Sequence, residues 1–257
     1  MTKDLLSIAG YDPSGGAGIS LDLRVFARLG CRGFGVLTAV TAQDASRVEA
    51  VFPLPARLVR SQVRALQSGR RFAGIKVGMA GSLENLAAVA RILAAHPGLP
   101  RVVDPVFVSS SGLPLLDSEA VAAFLRLLRG RASLLTPNLA EASTLSGLRV
   151  ATVEAMREAA RRIFDEGRVP CLVKGGHLRG EAVDVLYDGR EFKAFRHPRL
   201  KRDVHGTGCF LSAAILGFLA DGRGLEEACS RGAALTTWAI RGSVPAAGGR
   251  RVFSFPC

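Results

Sequence analysis

The chain has 257 residues, 48% hydrophobic and 22% charged, with a formal net charge of +12. That composition suits one large α/β domain better than a disordered or repeat protein, and a disulfide scaffold would be strange at this length. Arginines carry most of the charge, singly or in pairs (Arg70 with Arg71, Arg161 with Arg162, Arg250 with Arg251) without interleaved aromatics, so a solvated basic surface is expected rather than a nucleic-acid or membrane interface.

Short apolar runs alternate with longer amphipathic stretches along the chain. Residues 5–9, 34–39, 74–77, 102–105, 134–137 and 171–174 are predicted as buried strands. Residues 19–29, 56–66, 83–93 and 118–128, with apolar side chains at helical spacing, are predicted as the helices between them. This alternation of βαβ units builds a mostly parallel sheet. After Lys174 the pattern changes: residues 182–187 and 191–195 form a predicted hairpin around Asp188-Gly189, and residues 209–219 and 225–240 are two closing helices. The 209–219 run is too short to span a bilayer and no basic-then-apolar leader opens the chain, so a soluble, cytoplasmic protein is expected. Cys31, Cys171, Cys209, Cys229 and Cys257 are odd in number without a C-x-x-C pair, and His96, His177, His197 and His205 are scattered. Reduced thiols and no structural metal are the expectation.

In such a sheet the ligand sits beyond the carboxyl ends of the strands, where the unusual loops of this chain fall. The segment from Gly10 to Gly18 has neither the G-x-G-x-x-G spacing nor the Gly-Lys-Ser/Thr ending of the P-loop, which excludes a dehydrogenase or GTPase reading. Its glycines permit close approach of a ligand to the next helix start, with Asp22 one turn in; an ordinary strand-to-helix turn fits the pattern as well. Thr41-Ala42-Gln43-Asp44 reads as the loop after the second strand. Asn138 and Glu141 form a capping-box pattern, or else Glu141 joins Asp104 at a Mg²⁺, which takes few carboxylates and keeps water and phosphate oxygens. Lys174, ahead of two glycines, either snorkels to solvent or meets a phosphate. Gly206, Thr207 and Gly208 lead into an apolar helix, whose unpaired N–H groups and dipole can cradle an anion and favour the Cys209 thiolate; a tight helix start with a buried small residue is the alternative. Together, an anion nest, a lysine, two carboxylates and no P-loop point to phosphoryl transfer of another class.

Six ordered motifs carry a resemblance over nearly the whole chain. They are Ser7-Ile8-Ala9-Gly10-Tyr11-Asp12-Pro13-Ser14-Gly15-Gly16-Ala17-Gly18, Thr38-Ala39-Val40-Thr41-Ala42-Gln43, Asp104-Pro105-Val106, Thr136-Pro137-Asn138-Leu139-Ala140-Glu141, Lys174-Gly175-Gly176-His177 and His205-Gly206-Thr207-Gly208-Cys209. The chain resembles the ribokinase-like superfamily, and within it the hydroxymethylpyrimidine/phosphomethylpyrimidine kinases of thiamine biosynthesis. The resemblance implies one kinase domain over residues 1–257, a three-layer α/β/α sandwich with a mostly parallel central sheet and a small hairpin. It implies ATP and Mg²⁺ as cofactors, and phosphorylation of 4-amino-5-hydroxymethyl-2-methylpyrimidine and then of its monophosphate. By motif, Gln43 hydrogen-bonds the pyrimidine while Gly10, Asp22 and Met79 line its pocket. Lys174 and Thr207 meet ATP, Asp104 and Glu141 serve the metal, and Gly206, Thr207, Gly208 and Cys209 form the anion hole. Cys209 stands where most of the superfamily has a catalytic aspartate. A homodimer acting on small molecules, without nucleic-acid or membrane partners, is implied on the same ground.

Three departures from the family pattern bear on the acceptor. Phe210 stands where threonine is expected, Phe107 where methionine is common, and Ser109-Ser110-Ser111 replaces an alanine-containing stretch. They leave open a kinase of the monophosphate alone and a kinase of pyridoxine-like alcohols. A non-catalytic ligand sensor is the alternative from a different class. The glycine-bearing stretches near Gly112 and Gly176 are candidate lids.

Overall fold

The adjacent pairs Leu5/Leu6, Val102/Val103, Leu134/Leu135 and Leu172/Val173 are buried at both members. Successive strand side chains point to opposite faces, so these strands need cover on both sides. The computed structural model, which describes residues 2–109, 111–176, 178, 182–246 and 249–255, supplies it; Ser110, His177 and Cys257 of the sequence reading lie outside the described residues. Strands β1 (Asp4–Tyr11), β2 (Arg32–Gln43), β3 (Val48–Pro53), β4 (Gly74–Val77), β5 (Arg101–Val103), β6 (Leu134–Leu135), β7 (Cys171–Val173), β8 (Ala182–Tyr187) and β9 (Phe192–His197) form one sheet. Its order is β3-β2-β1-β4-β5-β6-β7-β8-β9. The pairs from β2 through β7 are parallel, whereas β3, β8 and β9 join antiparallel at the two edges.

The helices are α1 (Gly18–Arg28), α2 (Ala56–Gln67), α3 (Leu83–Ala94), α4 (Ser118–Leu128), α5 (Leu139–Ser146), α6 (Val153–Gly167), α7 (Thr207–Ala220) and α8 (Leu225–Arg241). One core holds Leu6, Val103, Leu135 and Val173 against Val63 of α2, Val89 of α3, Phe124 of α4 and Ile163 of α6. The other holds Leu5, Val102, Leu134 and Leu172 against Phe26 of α1, Ile215 of α7 and Ala228 of α8. The result is the expected α/β/α sandwich with a mostly parallel sheet and a β8–β9 hairpin. Ser82, Asp117, Asn138 and Thr152 cap α3, α4, α5 and α6, each accepting a first-turn N–H. Among the described residues no helix is long and apolar enough to cross a membrane.

One reading is corrected here. Thr41, Ala42 and Gln43 are not a loop: β2 runs on to Gln43 and pairs with β3, from Ala39 opposite Pro53 to Gln43 opposite Val48. The strand outlasts its neighbour β1 because β3 takes over its hydrogen bonds, and Thr41 Oγ1 donates to the Tyr11 carbonyl (2.9 Å). Gln43 is thereby carried on sheet rather than on a mobile connection.

Candidate active site

Beyond the carboxyl ends of the strands lies a cavity of about 970 Å³. Its first wall is the loop after β1. Asp12 is buried and accepts from the Ser14 N–H (2.9 Å), the Ser14 hydroxyl (2.7 Å) and the Ala17 N–H (2.9 Å), so a carboxylate organises the predicted glycine turn. His205 Nε2 meets the same carboxylate at 2.9 Å and lies 3.1 Å from Gln43 Nε2. The imidazole thus ties together the first loop, the end of β2 and the turn before α7. Gly10 and Met79 also line the wall, and a Cβ on Gly10 would come within 2.8 Å of Met79 Cε.

The start of α7 forms the centre. Gly206 takes a left-handed φ of 83°, and a Cβ there would collide with the Gly16 carbonyl. No side chain caps α7, so its first turn presents backbone N–H groups where Thr207, Gly208 and Cys209 line the cavity. Cys209, the third residue of α7, lines this cavity. Its charge state differs from the expectation. Burial pushes the Cys209 thiol up to about 11; Lys76 pulls it down, and Asp104 and Asp22 add to the rise. Desolvation outweighs the helix field that favours a thiolate.

Asp22 is the second correction: it does not line the pocket. Its side chain is fully buried under α1, accepting from the Ser7 hydroxyl (2.6 Å) and Lys76 Nζ (2.8 Å). Lys76 lies directly behind the cavity wall, with no exposed side-chain surface. Burial alone would lower the Lys76 pKa, but Asp22, Cys209 and Asp104 together raise it, and the ammonium stays charged.

At the far side of α7, Lys174 Nζ lies 2.6 Å from Asp104 Oδ1. The Thr136 hydroxyl donates to the same oxygen (2.9 Å). A Cβ on Gly208 would stand 3.0 Å from Lys174 Nζ, so a side chain there would crowd the ammonium. Asn138 and Glu141 form the full capping box, with Glu141 Oε2 accepting from the Asn138 N–H (2.7 Å). The capping reading of Glu141 holds, and the same carboxylate also lines the cavity with Asp104. Burial pushes the Glu141 carboxyl up to about 7, against the pull of Lys174.

The donor set fits Mg²⁺ of a particular kind. Among the described residues no three His, Cys, Asp or Glu side chains converge. Glu141 already accepts from the Asn138 N–H, and Asp104 from Lys174 and Thr136. Two engaged carboxylates suit a cation held mainly by phosphate and water.

The two aromatic departures resolve differently. Phe210 turns away from the anion nest and packs on Phe253, with ring centroids 4.5 Å apart. Phe107 lines the cavity and packs edge-on against Phe124 at 5.1 Å. The motifs assign no role to Asp12 or His205, which line the cavity, or to Lys76, which lies just behind its wall. A lysine inside the four-residue buried strand β4 was the available signal, since an unpaired charge is not tolerated there.

The model of the phosphomethylpyrimidine kinase family matches residues 12–252 of this chain. The chain belongs to that family. The Streptomyces coelicolor hydroxymethylpyrimidine/phosphomethylpyrimidine kinase is 42% identical over 246 residues, covering 95% of this chain and 91% of that protein. The Geobacter sulfurreducens thiamine biosynthesis bifunctional protein is also 42% identical; the match covers 94% of this chain but 50% of that longer protein. Among solved structures, the ADP complex of Bacillus subtilis pyridoxal kinase superposes with a TM-score of 0.90 at 32% identity, over 98% of this chain and 97% of that one. This phosphomethylpyrimidine kinase family member is thus an ATP-using phosphotransferase with a ribokinase-like fold, and the cavity at its strand ends is the candidate active site.

Proposed function

We propose that the protein transfers the γ-phosphoryl group of ATP to 4-amino-5-hydroxymethyl-2-methylpyrimidine and then to the resulting monophosphate. The observation that carries this reading is the single cavity in which Gln43 and Met79 lie on one side of the α7 start, and Lys174, Asp104 and Glu141 on the other. Acceptor and donor then meet over the N–H groups of Thr207, Gly208 and Cys209.

The nucleotide lies toward Leu200, Leu211, Ala233 and Ile240, an apolar end suited to a flat base. Lys174 and Thr207 meet its phosphates. Asp104 and Glu141 would hold Mg²⁺, which neutralises phosphate charge when bound. Gln43, fixed by β2 and His205, hydrogen-bonds the pyrimidine, with Gly10 and Met79 against the ring. Lys76 and Asp22 lie beneath and set the field at Cys209. Most of the acceleration comes from charge neutralisation and alignment, because phosphoryl transfer has a loose transition state. In the first step the thiolate fraction of Cys209, small at neutral pH, accepts the proton of the alcohol while the new O–P bond forms and the bond from the γ-phosphorus to ADP breaks. In the second the nucleophile is a phosphate oxygen, already deprotonated near neutral pH, and needs no base. The chain is read as one catalytic domain that works in the cytoplasm as a homodimer.

A second reading, phosphorylation of pyridoxine-like alcohols, is favoured by the likeness to pyridoxal kinase and by Phe107 on the acceptor wall. The test is ADP release with MgATP and each of three acceptors: the pyrimidine alcohol, its monophosphate and pyridoxine. Turnover of both pyrimidines with pyridoxine much slower is the expected result. Preference for pyridoxine overturns the first reading, and turnover of the monophosphate alone removes its first step.

A further inference from the structure

The motif gives Lys174 a role and Gly175 none, yet the chain at Gly175 is held in an unusual way. Strand β7 ends at Val173, and the next residues turn sharply instead of extending the ladder with β8. A Cβ on Gly175 would collide with the Val183 carbonyl and come within 2.9 Å of Leu178 Cδ1 and Met156 Cε, so only a bare backbone fits. The Gly175 N–H, which a longer strand would give to a backbone carbonyl, donates instead to Asp184 Oδ1 at 2.8 Å. The other oxygen of that carboxylate meets His197 Nε2 at 3.0 Å.

The pairing of β8 with β9 explains how the two side chains find each other. Asp184 stands opposite Phe195 and Ala182 opposite His197, so residues 184 and 197 are diagonal neighbours on one face of the hairpin. Asp184 is buried, and both residues line the cavity on the Lys174 side. Both oxygens of this buried carboxylate are engaged, and one engagement reaches the residue after the phosphate-binding lysine.

We propose that Asp184, braced by His197, is a positioning residue for ATP: by holding the Gly175 N–H it fixes the backbone that aims Lys174 at the nucleotide phosphates. On its other side Lys174 is fixed by its own N–H, which donates to the Pro137 carbonyl at 2.8 Å. The backbone is therefore clamped before and after the lysine, and the ammonium must fall between Asp104 and the start of α7. Loss of the second clamp lets the turn shift and moves Nζ away from the phosphates, while the acceptor wall at Gln43 and Met79 is untouched. The inference rests on the reading of Lys174 as a phosphate ligand.

The experiment measures kcat and both KM values, for ATP and for the acceptor, in Asp184→Ala, Asp184→Asn, His197→Ala and His197→Gln, with Lys174→Ala alongside and the melting temperature of each. Asp184→Ala is expected to raise the ATP KM about tenfold, the loss of one charge-assisted hydrogen bond, with the acceptor KM unmoved. Asp184→Asn keeps an oxygen for the Gly175 N–H and is expected within about threefold of the parent protein. His197→Ala should raise the ATP KM by a smaller factor than Asp184→Ala, and His197→Gln, which still has a donor for Asp184, should rescue it. A lowered melting temperature with an unchanged ATP KM would show a purely structural carboxylate and overturn the proposal. So would equal rises in both KM values, or an asparagine variant as impaired as alanine. Should Lys174→Ala leave kcat and the ATP KM intact, the phosphate reading itself falls and the proposal with it; an impaired Lys174→Ala beside a normal Asp184→Ala sinks the proposal alone.

Discussion

Two lysines, one inside parallel strand β4 and one just past the end of β7, are each bound to an aspartate at hydrogen-bond distance, and they have opposite fates. Lys76 and Asp22 are 2.8 Å apart with both side chains at 0% exposure. Lys174 and Asp104 are 2.6 Å apart, but the lysine keeps 13% of its side chain exposed against 3% for the aspartate. The first pair is sealed beneath α1 and α7, so its charge acts on the site only as a field. The second opens on the cavity, so its lysine is free to exchange part of the aspartate's attention for a phosphate. Bond length does not separate the roles; access does.

The comparison can be broken most decisively at Lys174. Lys174→Ala should lower kcat/KM by roughly three orders of magnitude, because a charge at the transferring phosphoryl group is lost, with little change in melting temperature. Lys76 should respond the other way. Lys76→Met leaves Asp22 buried without its partner and should cost about 3 kcal/mol or more in denaturant unfolding. Adding Asp22→Asn to it should recover part of that loss; no recovery would mean the pair contributes more than mutual neutralisation. Cys209 sharpens the question of what the sealed field does. Cys209→Ala should slow the alcohol acceptor about a hundredfold and the monophosphate acceptor only a few-fold. With a thiol pushed up to about 11, the thiolate fraction grows as pH rises, so alcohol phosphorylation should climb above pH 8 while the second step stays flat. Equal losses with the two acceptors would remove Cys209 as a base.

The smallest effect concerns Glu141 and can be read without nucleotide or metal. Its carboxyl goes from 4.5 to about 7 in the folded protein, so the folded state holds the proton more tightly than the unfolded one. The stability this gives is fully present below the unfolded value and is lost as pH rises through about 7. Glu141→Gln does not titrate. Between pH 5 and 8 the parent protein should therefore lose on the order of 1–2 kcal/mol relative to that variant, seen as diverging melting temperatures.

Much of the fold was legible because it rests on local pattern. The predicted strand at residues 74–77 is β4 without change, and the predicted helix at 118–128 is α4. Local pattern does not mark β3, whose sequence Val-Glu-Ala-Val-Phe-Pro leaves its side chains only half-buried or exposed at a sheet edge. It likewise named no helix at α6, since the arginines and glutamates of that helix dilute its apolar stripe. Within the site, motif order brought Gln43, Met79, Lys174, Asp104, Glu141 and the α7 turn together. The placement of Asp22 was not legible, because a polar residue one turn into a helix carries no mark of the face it will occupy. Nor was the state of Cys209: the helix field is local and can be read from sequence, whereas the desolvation that overrides it comes from the whole fold.

The sealed lysine also makes the protein its own stopwatch. An amine-reactive reagent can reach Lys76 only when the sheet and the helices above it separate, so its labelling rate follows global opening. Lys174, 13% exposed, reacts from the folded state, and on the proposed reading bound nucleotide shields it. One mass spectrum of two peptides, taken over time, would then report the lifetime of the folded state and the occupancy of the cavity in the same tube.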